Sequence, residues 1–340
     1  MLSSSAVNQN TDAGVREVTL GQAIREALAE EMRRDPRVFI MGEDVAEAGT
    51  AFKVLTGLVE EFGPSRVIDT PISEAGITGL GVGGAMTGMR PIVDIMFGDF
   101  IGLAMDQIVN QAAKVHYMSG GKLTVPLVVR TTLGATRRTA AQHSQSLQAW
   151  VSHVPGLKVV LPSTPYDAKG LLKTAIRDDN PVIFFEDKMM YQLKGLVPDA
   201  DYTIPFGVAD IKRPGVDITI VATSSMVQIA LAAAELLEKL DISAEIVDPR
   251  TTFPLDKDTL IASAKKTSRA IVMDEGYERY GVTAELAAVI AEGAFYYLDA
   301  PVKRLGAMDV PVPFSPVLED LTVPTPDWVV DVAKTLCGRV

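Results

Sequence analysis

The stretch LKVVLPSTPYDAKGLLKTAIRDDNPVIFFE, Leu157–Glu186, decides the fold. Leu157–Leu161 is an apolar run of strand length, and Val182–Glu186 is another. Between them Thr164 reads as a helix N-cap, with Pro165 in the first turn and Asp167 completing a capping box ahead of Pro165–Arg177. Asn180 before Pro181 marks the turn into the second strand. Strand, capped helix, strand is a βαβ unit. Such units build a mostly parallel sheet covered on both faces.

The same alternation runs outward in both directions. Thr19 with Gln22 makes a capping box before Leu20, Ala23, Ile24, Ala27 and Leu28, which share one helical face. Val38–Met41, Val67–Asp69, Pro91–Phe97 and Val125–Thr132 read as further strands, and Ile101–Tyr117 as one helix. Lys188–Pro205 breaks the pattern with Gly195 and Pro198 and reads as a linker. A second series follows. Its strands are Asp217–Ala222, Ala244–Val247, Ala270–Asp274 and Val302–Leu305. Its helices are Val227–Leu240, Asp256–Lys266, Val282–Tyr297 and Asp327–Leu336. The expected organisation is α/β, with two doubly wound domains: a disordered N-terminus over 1–15, a first domain over 16–187, a linker over 188–205 and a second domain over 206–340.

Composition narrows the function. Hydrophobic residues are 47% and charged residues 22% of the 340, an ordinary globular balance. The formal net charge of -11 argues against a nucleic-acid binder and suits a basic protein partner. No apolar run approaches the roughly 18 residues that span a membrane. The single cysteine, Cys337, excludes an intramolecular disulfide and suits a reducing compartment. The opening segment lacks the features of a secretion signal or an Arg-rich transit peptide, so the chain reads as cytoplasmic.

Gly79-Leu-Gly81-Val-Gly83-Gly84 fits the GxGxxG pattern of a dinucleotide-binding turn. Its context is wrong, because Pro71, Ser73 and Glu74 intervene between the strand ending at Asp69 and the first glycine. The alternative is a helix whose glycines, at four-residue spacing, leave a bare stripe for internal packing or for a subunit contact. A nicotinamide-dependent oxidoreductase and a non-catalytic scaffold subunit remain the rival classes.

Two polar foci carry candidate chemistry. Glu74 follows the C-terminal end of a strand, where open α/β sheets form their ligand crevice. Its plain alternative is a helix-start charge. His143 lies in a long polar loop after another strand, and histidine suits proton transfer near neutral pH. Of the two other histidines, His153 reads as a turn residue and His116 as a surface or interface residue.

The motifs EDV (Glu43–Val45), DTPISEAG (Asp69–Gly76), DQIVNQAAKVHYMSGG (Asp106–Gly121), AAQHSQS (Ala140–Ser146), VPGLKVVLPSTPYDAKGLL (Val154–Leu172), IRDDNPVIFFE (Ile176–Glu186) and DPRTTFPLD (Asp248–Asp256) stand in order along nearly the whole chain. Together they resemble the E1 β subunits of 2-oxoacid dehydrogenase complexes. Arg130–Trp150, Asp201–Gly207 and Val310–Pro324 are most similar to the acetoin-cleaving branch, with pyruvate and branched-chain 2-oxoacid subunits next. The resemblance implies a transketolase-like pyrimidine-binding domain followed by a transketolase C-terminal-like domain.

It also implies a thiamine-diphosphate enzyme that cleaves acetoin, or decarboxylates pyruvate, to hydroxyethyl-thiamine diphosphate and reductively acetylates the lipoyl group of E2. By the same resemblance, Glu74 contacts N1′ of the aminopyrimidine, Ile72, Met96 and Phe100 line the ring pocket, and His143 serves transfer to lipoyl. Main-chain oxygens at Leu127, Ala175, Asp178 and Asn180 are implied to hold a monovalent cation such as K+. For Ala175, Asp178 and Asn180 a helix end and turn is the plain alternative. The family's GDG segment for Mg2+ is missing from the sequence; Gly98-Asp99-Phe100 only begins like one. The expected partners are therefore an E1 α subunit that holds the metal and pyrophosphate, in an α2β2 assembly, and the E2 lipoyl and peripheral-subunit-binding domains.

Overall fold

The computed structural model describes residues 14–339. The expected disorder over 1–13 lies outside the described residues, and Val15 already opens a strand. In chain order the strands are β1 (Val15–Thr19), β2 (Val38–Gly42), β3 (Val67–Asp69), β4 (Arg90–Ile95), β5 (Val128–Leu133), β6 (Lys158–Val160), β7 (Val182–Asp187), β8 (Lys194–Pro198), β9 (Asp210–Arg213), β10 (Ile218–Ala222), β11 (Ala244–Asp248), β12 (Thr251–Phe253), β13 (Ala270–Tyr277) and β14 (Lys303–Ala307). One sheet has the order β12-β6-β7-β5-β4-β2-β3 and another β14-β13-β10-β11-β9. Within them only β12 and β9 run antiparallel to their neighbours.

Strand periodicity explains why both sheets are covered on two faces. Alternate residues point to opposite sides. Along β7, Val182 and Phe184 enter a core beneath the helices Leu20–Arg34 and Pro165–Arg177. Ile183 and Phe185 enter a second core on the other face, beneath the helix Glu74–Met86 and the segment after Ile101. In β10, Ile218 and Ile220 face one core of the second sheet and Val221 the other. An apolar residue at every position, and not at every second one, is what two buried faces require.

Local signals set the helix starts. The Thr19–Gln22 capping box forms in both directions. Thr164 caps Pro165–Arg177 by accepting from the Asp167 amide at 3.1 Å. The box does not close, however. Asp167 Oδ2 takes the Thr164 hydroxyl and Lys212, and Oδ1 takes Arg250, so long-range charges have claimed it.

Three other expectations change. Ile101–Tyr117 is not one α-helix: it runs as α-helix over Ile101–Asp106, widens to a π-helix over Gln107–Ala112, and resumes for one turn at Val115–Met118. The widening lies where Gln107 packs against Gly79 of the neighbouring helix. The stretch read as linker contains β8, which pairs antiparallel with β1. From the second half, β12 crosses to extend the first sheet beside β6. Pairings this distant in sequence leave no local signal.

A charged cluster joins the two halves. Lys212 Nζ lies 2.5 Å from Asp167, 2.8 Å from Asp210 and 3.6 Å from Asp248, while Arg250 bonds Asp167 and Asp210. Asp167 and Asp248 are fully buried. Burial works against the Lys212 ammonium, but Asp248 and Asp167 outweigh it and hold it above its ordinary range. Burial pushes the Asp248 carboxyl up to about 6 against the pull of Lys212.

Replacing Lys212 by Met leaves two buried carboxylates short of a counter-charge, a loss on the order of 3–5 kcal/mol. Protonation relieves that penalty, so the deficit should be larger at about pH 8 than at about pH 5. Thermal melting of Lys212→Met and wild type at both pH values measures it. A deficit independent of pH would mean that packing, and not charge, is what Lys212 contributes.

Candidate active site

Four neighbouring parallel strands end on one edge of the seven-stranded sheet, and the segments that follow them converge there. β2 leads to Glu43, β3 to Glu74, β4 to Met96, Phe97 and Phe100, and β5 to the loop that carries His143. All of these line one cavity of about 140 Å³, together with Ser73, Ile77, Asp94 and Ile95. A cavity of ~150 Å³ accommodates a benzene-sized ring. Larger depressions exist, such as one of about 440 Å³ between Arg16, Arg25, Arg33 and Glu61, but none of Glu74, Met96, Phe100 and His143 lines it.

Each wall has a local cause. Ser73 caps the helix Glu74–Met86 by accepting from the Gly76 amide at 3.3 Å. That fixes Glu74 in the first turn, where a carboxylate suits the helix dipole, half-buried at the cavity. Gly98 lets the turn after β4 press against β5; a Cβ there would stand 2.4 Å from the Thr132 carbonyl oxygen. This close approach turns Phe97 and Phe100 onto the His143 imidazole. Both rings meet it edge-on, with centroids 4.6 and 5.3 Å away. Asp99, in the fragment that begins like GDG, accepts from the Gln145 amide at 3.1 Å and from its side chain at 3.0 Å. It holds the His143 loop.

Carboxylates dominate the floor. Burial raises the Glu43 carboxyl above its ordinary value, and the charges of Asp44 and Glu74 add to this. Deeper, Arg130 on β5 bonds Asp94 on β4 and forks onto Glu186 on β7 at 2.9 and 2.6 Å. The Tyr191 hydroxyl donates to Glu186 at 2.7 Å. One guanidinium thus serves two carboxylates in a dry interior. Burial pushes the Asp94 carboxyl up to about 6, Arg130 pulls it down and Glu186 pushes it further up.

Of the expected site residues, Glu74, Met96, Phe100 and His143 meet in the cavity. Ile72 stands apart, 71% exposed on the turn before Glu74. The expected cation positions gather at the opposite edge of the sheet, before β5 and β7. There Leu127 O accepts from Val182 N, Ala175 O from Asp178 N, and Asp178 O from Arg90 at 2.9 Å. The Arg90 guanidinium thus sits on one of these carbonyls, that of Asp178. Glu43, Asp94 and Phe97 were not singled out from sequence. Glu43 was detectable as an acid directly after a strand; Asp94 sits inside an apolar strand, and its depth is a tertiary property.

The GxGxxG segment lies inside the helix Glu74–Met86, not at a strand-to-helix turn. Gly81 is the point of close approach, since its Cβ would meet Val93 at 2.6 Å and Leu127 at 3.1 Å. Of the glycines at four-residue spacing, Gly79 lies against Gln107 and Gly84 against Phe39, while Gly83 and Gly88 face open space, so only part of the stripe packs internally.

Comparison with known proteins identifies the two halves of the chain. Residues 16–194 match the transketolase pyrimidine-binding domain, and residues 207–329 the transketolase C-terminal domain. The chain is 51% identical over 336 residues to the Bacillus subtilis acetoin:2,6-dichlorophenolindophenol oxidoreductase subunit beta, covering 95% of this chain and 98% of that one. It is 50% identical over 321 residues to the pyruvate dehydrogenase E1 component subunit beta of Rickettsia felis, covering 94% and 98%. Among solved structures, a split-gene transketolase, described as an inactive beta4 tetramer, shares the fold with a TM-score of 0.75 at 23% identity, covering 94% of this chain and 98% of that one.

The Asp94 carboxyl makes a pH prediction. A carboxyl raised in the folded state contributes stability that is fully present below its ordinary range and lost as pH rises through about 6. The margin of wild type over Asp94→Asn should therefore shrink between about pH 4 and pH 7, by up to roughly 3 kcal/mol. Chemical denaturation across that range reads the slope. A margin that grows with pH would show Asp94 to be ionised throughout, with Arg130 the stronger influence.

Proposed function

Because this chain belongs to the E1 β subunits of the transketolase family, we propose that it is the β half of a thiamine-diphosphate-dependent dehydrogenase acting on acetoin. Pyruvate is the second reading, favoured by 50% identity to a pyruvate dehydrogenase subunit, with branched-chain 2-oxoacids behind it. The observation that carries the proposal is the meeting of Glu74, Met96, Phe100 and His143 in one ring-sized cavity.

The residues present suit an aminopyrimidine. Ile77, Met96, Phe97 and Phe100 offer apolar and aromatic surface, and Glu74 offers a carboxylate at the rim. Thiamine diphosphate, when bound, supplies the nucleophilic carbon and the electron sink for C–C cleavage. Glu74 shares or accepts a proton at ring nitrogen N1′, an interaction that the surrounding apolar walls strengthen. Phe97 and Phe100 exclude water and hold the imidazole of His143 by its edges. His143 delivers a proton to the lipoyl sulfur that leaves when the disulfide opens. Ile72 completes the ring pocket once a partner chain covers it.

The Mg2+ and the pyrophosphate fall to an α subunit, in an α2β2 assembly. Gly83 and the 66% exposed Leu80 leave one face of the Glu74–Met86 helix suited to that partner. The net charge of -11 suits a basic peripheral-subunit-binding domain of E2. A K+ ion at Leu127, Ala175, Asp178 and Asn180 would use the carbonyls' remaining lone pairs. Such an ion would serve turn stability, away from the ring-sized cavity. A reducing cytoplasm suits the lone Cys337.

Glu74→Gln keeps side-chain volume and removes the negative charge. In the assembled α/β enzyme, turnover should fall on the order of 10²-fold or more. Hydrogen exchange at thiamine C2 should slow with it, and the melting temperature should hardly change. Unchanged exchange with a large drop in melting temperature would make Glu74 structural.

His143→Ala separates the second role. Lipoyl-linked turnover should fall about 10²–10⁴-fold, well beyond the loss with an artificial electron acceptor. Equal losses in the two assays would move His143 to an earlier step.

A further inference from the structure

In the five-stranded sheet the chain leaves β10 for β11 on one side and later places β13 on the other. The C-terminal ends of β10 and β13 therefore border the topological switch point, where such a sheet opens a crevice for a ligand. This chain's own His143 loop occupies that crevice. Glu275 Oε1 on β13 accepts from the Ala135 amide at 2.7 Å. Its neighbour Asp274 accepts from the Gln148 side chain at 2.6 Å and from the Thr223 hydroxyl after β10.

The first domain grips the same loop. Lys188, just past β7, donates from Nζ to the His143 carbonyl at 2.8 Å, and the Thr139 hydroxyl donates to that oxygen at 2.9 Å. Asp187, the last residue of β7, has a buried Oδ2 that no protein donor reaches among the described residues. That oxygen and Glu275 Oε2 each lie 3.0 Å from the point where a Cβ on Gly134 would stand. Gly134 has φ +103°, so only glycine suits the position, and its bare Cα leaves room for both carboxyls against it.

Building on the reading of His143 as the residue that serves lipoyl, we propose that Asp187 and Glu275 share one proton across the domain boundary and, with Lys188, are positioning residues for the His143 loop. A carboxyl that keeps its proton donates to its partner and still presents an acceptor to the Ala135 amide. Two carboxylates could not stand in contact here without one proton between them. Burial raises Glu275 well above the carboxylate range, and the neighbouring Asp187 carboxyl adds to this. The Ala135 amide and Lys188 oppose the rise. Burial also holds the Lys188 ammonium below its ordinary value, with Arg137 acting in the same direction and Asp187, Asp99 and Glu275 against it. Ser225, after β10, adds a hydroxyl 3.3 Å from Glu275 Oε2.

The sign follows from the raised Glu275. Its contribution is present while the proton is held and is lost as pH rises through the value for the pair. Above that value two carboxylates face each other beside Gly134, and the loop loosens.

The test uses the assembled α/β enzyme in wild-type, Glu275→Gln, Glu275→Leu, Lys188→Met and His143→Ala forms. Two readouts are taken between about pH 6 and 9: amide hydrogen exchange over residues 134–146, corrected for intrinsic rates, and the ratio of lipoyl-linked to artificial-acceptor turnover. Wild type should lose loop protection as pH rises. Glu275→Gln, whose amide can donate to Asp187 and accept from Ala135, should keep protection and flatten that pH response. Glu275→Leu and Lys188→Met should expose the loop and lower the turnover ratio roughly 10- to 10²-fold.

If Glu275→Leu does not fold, Glu275→Gln and Lys188→Met decide the matter alone. Glu275→Gln that exposes the loop overturns the shared proton. Unchanged exchange and ratio in Lys188→Met overturn the positioning role. His143→Ala losing both assays equally defeats the lipoyl reading instead, while the exchange data still judge the anchoring.

Discussion

The Arg130 guanidinium holds the centre of the first sheet together. It is 3% exposed, on the middle strand β5, and reaches Asp94 on β4 and Glu186 on β7. Asp94 and Arg130 are also register partners in the parallel ladder. A slip of one residue would put the charges on the opposite face, against an apolar core, and strand one or both carboxylates there. The pairing of β4, β5 and β7 is thus locked by charge as well as by backbone bonds. The strand ends that carry Met96, Phe97, Phe100 and the His143 loop follow from that register.

The His143 loop belongs to neither domain alone. Its first residues hang from Glu275, its middle from Lys188 and its last from Asp274. Arg138 also reaches into the second domain, bonding Glu319 and Asp320. The second domain contributes no side chain to the ring-sized cavity, yet it supplies many of the acceptors that shape the loop. Its contacts fix where an imidazole stands relative to two phenyl rings. A loop of this length, left to itself, would lose that position to backbone entropy.

Legibility followed the range of the interactions. Helix Pro165–Arg177 and strand Val67–Asp69 were bounded correctly from sequence because caps, prolines and apolar runs are local. The helix expected over Ile101–Tyr117 widens to a π-helix where Gln107 lies against Gly79 of the neighbouring helix, a contact between residues far apart in the chain. β8 was hidden in a stretch rich in turn formers, since its strand character comes from β1 alone. Asp167 reads from sequence as the residue completing a capping box, but its charge partners, Lys212 and Arg250, lie in the other half of the molecule and claim it instead.

At the site, the amino-acid sequence determined the residues available: a glutamate after a capped turn, a histidine in a polar loop, and aromatic residues after an apolar strand. Its motif order also determined the family. Only the tertiary structure decided that Glu43, Asp94 and Phe97 join them, that Asp99 ties a loop, and that Asp187 and Glu275 both close on Gly134. Sequence specifies which groups exist and what each prefers within a few residues. Distances between strands that are adjacent in space, and the dielectric around a carboxyl, arise only when the whole sheet has closed and water has left.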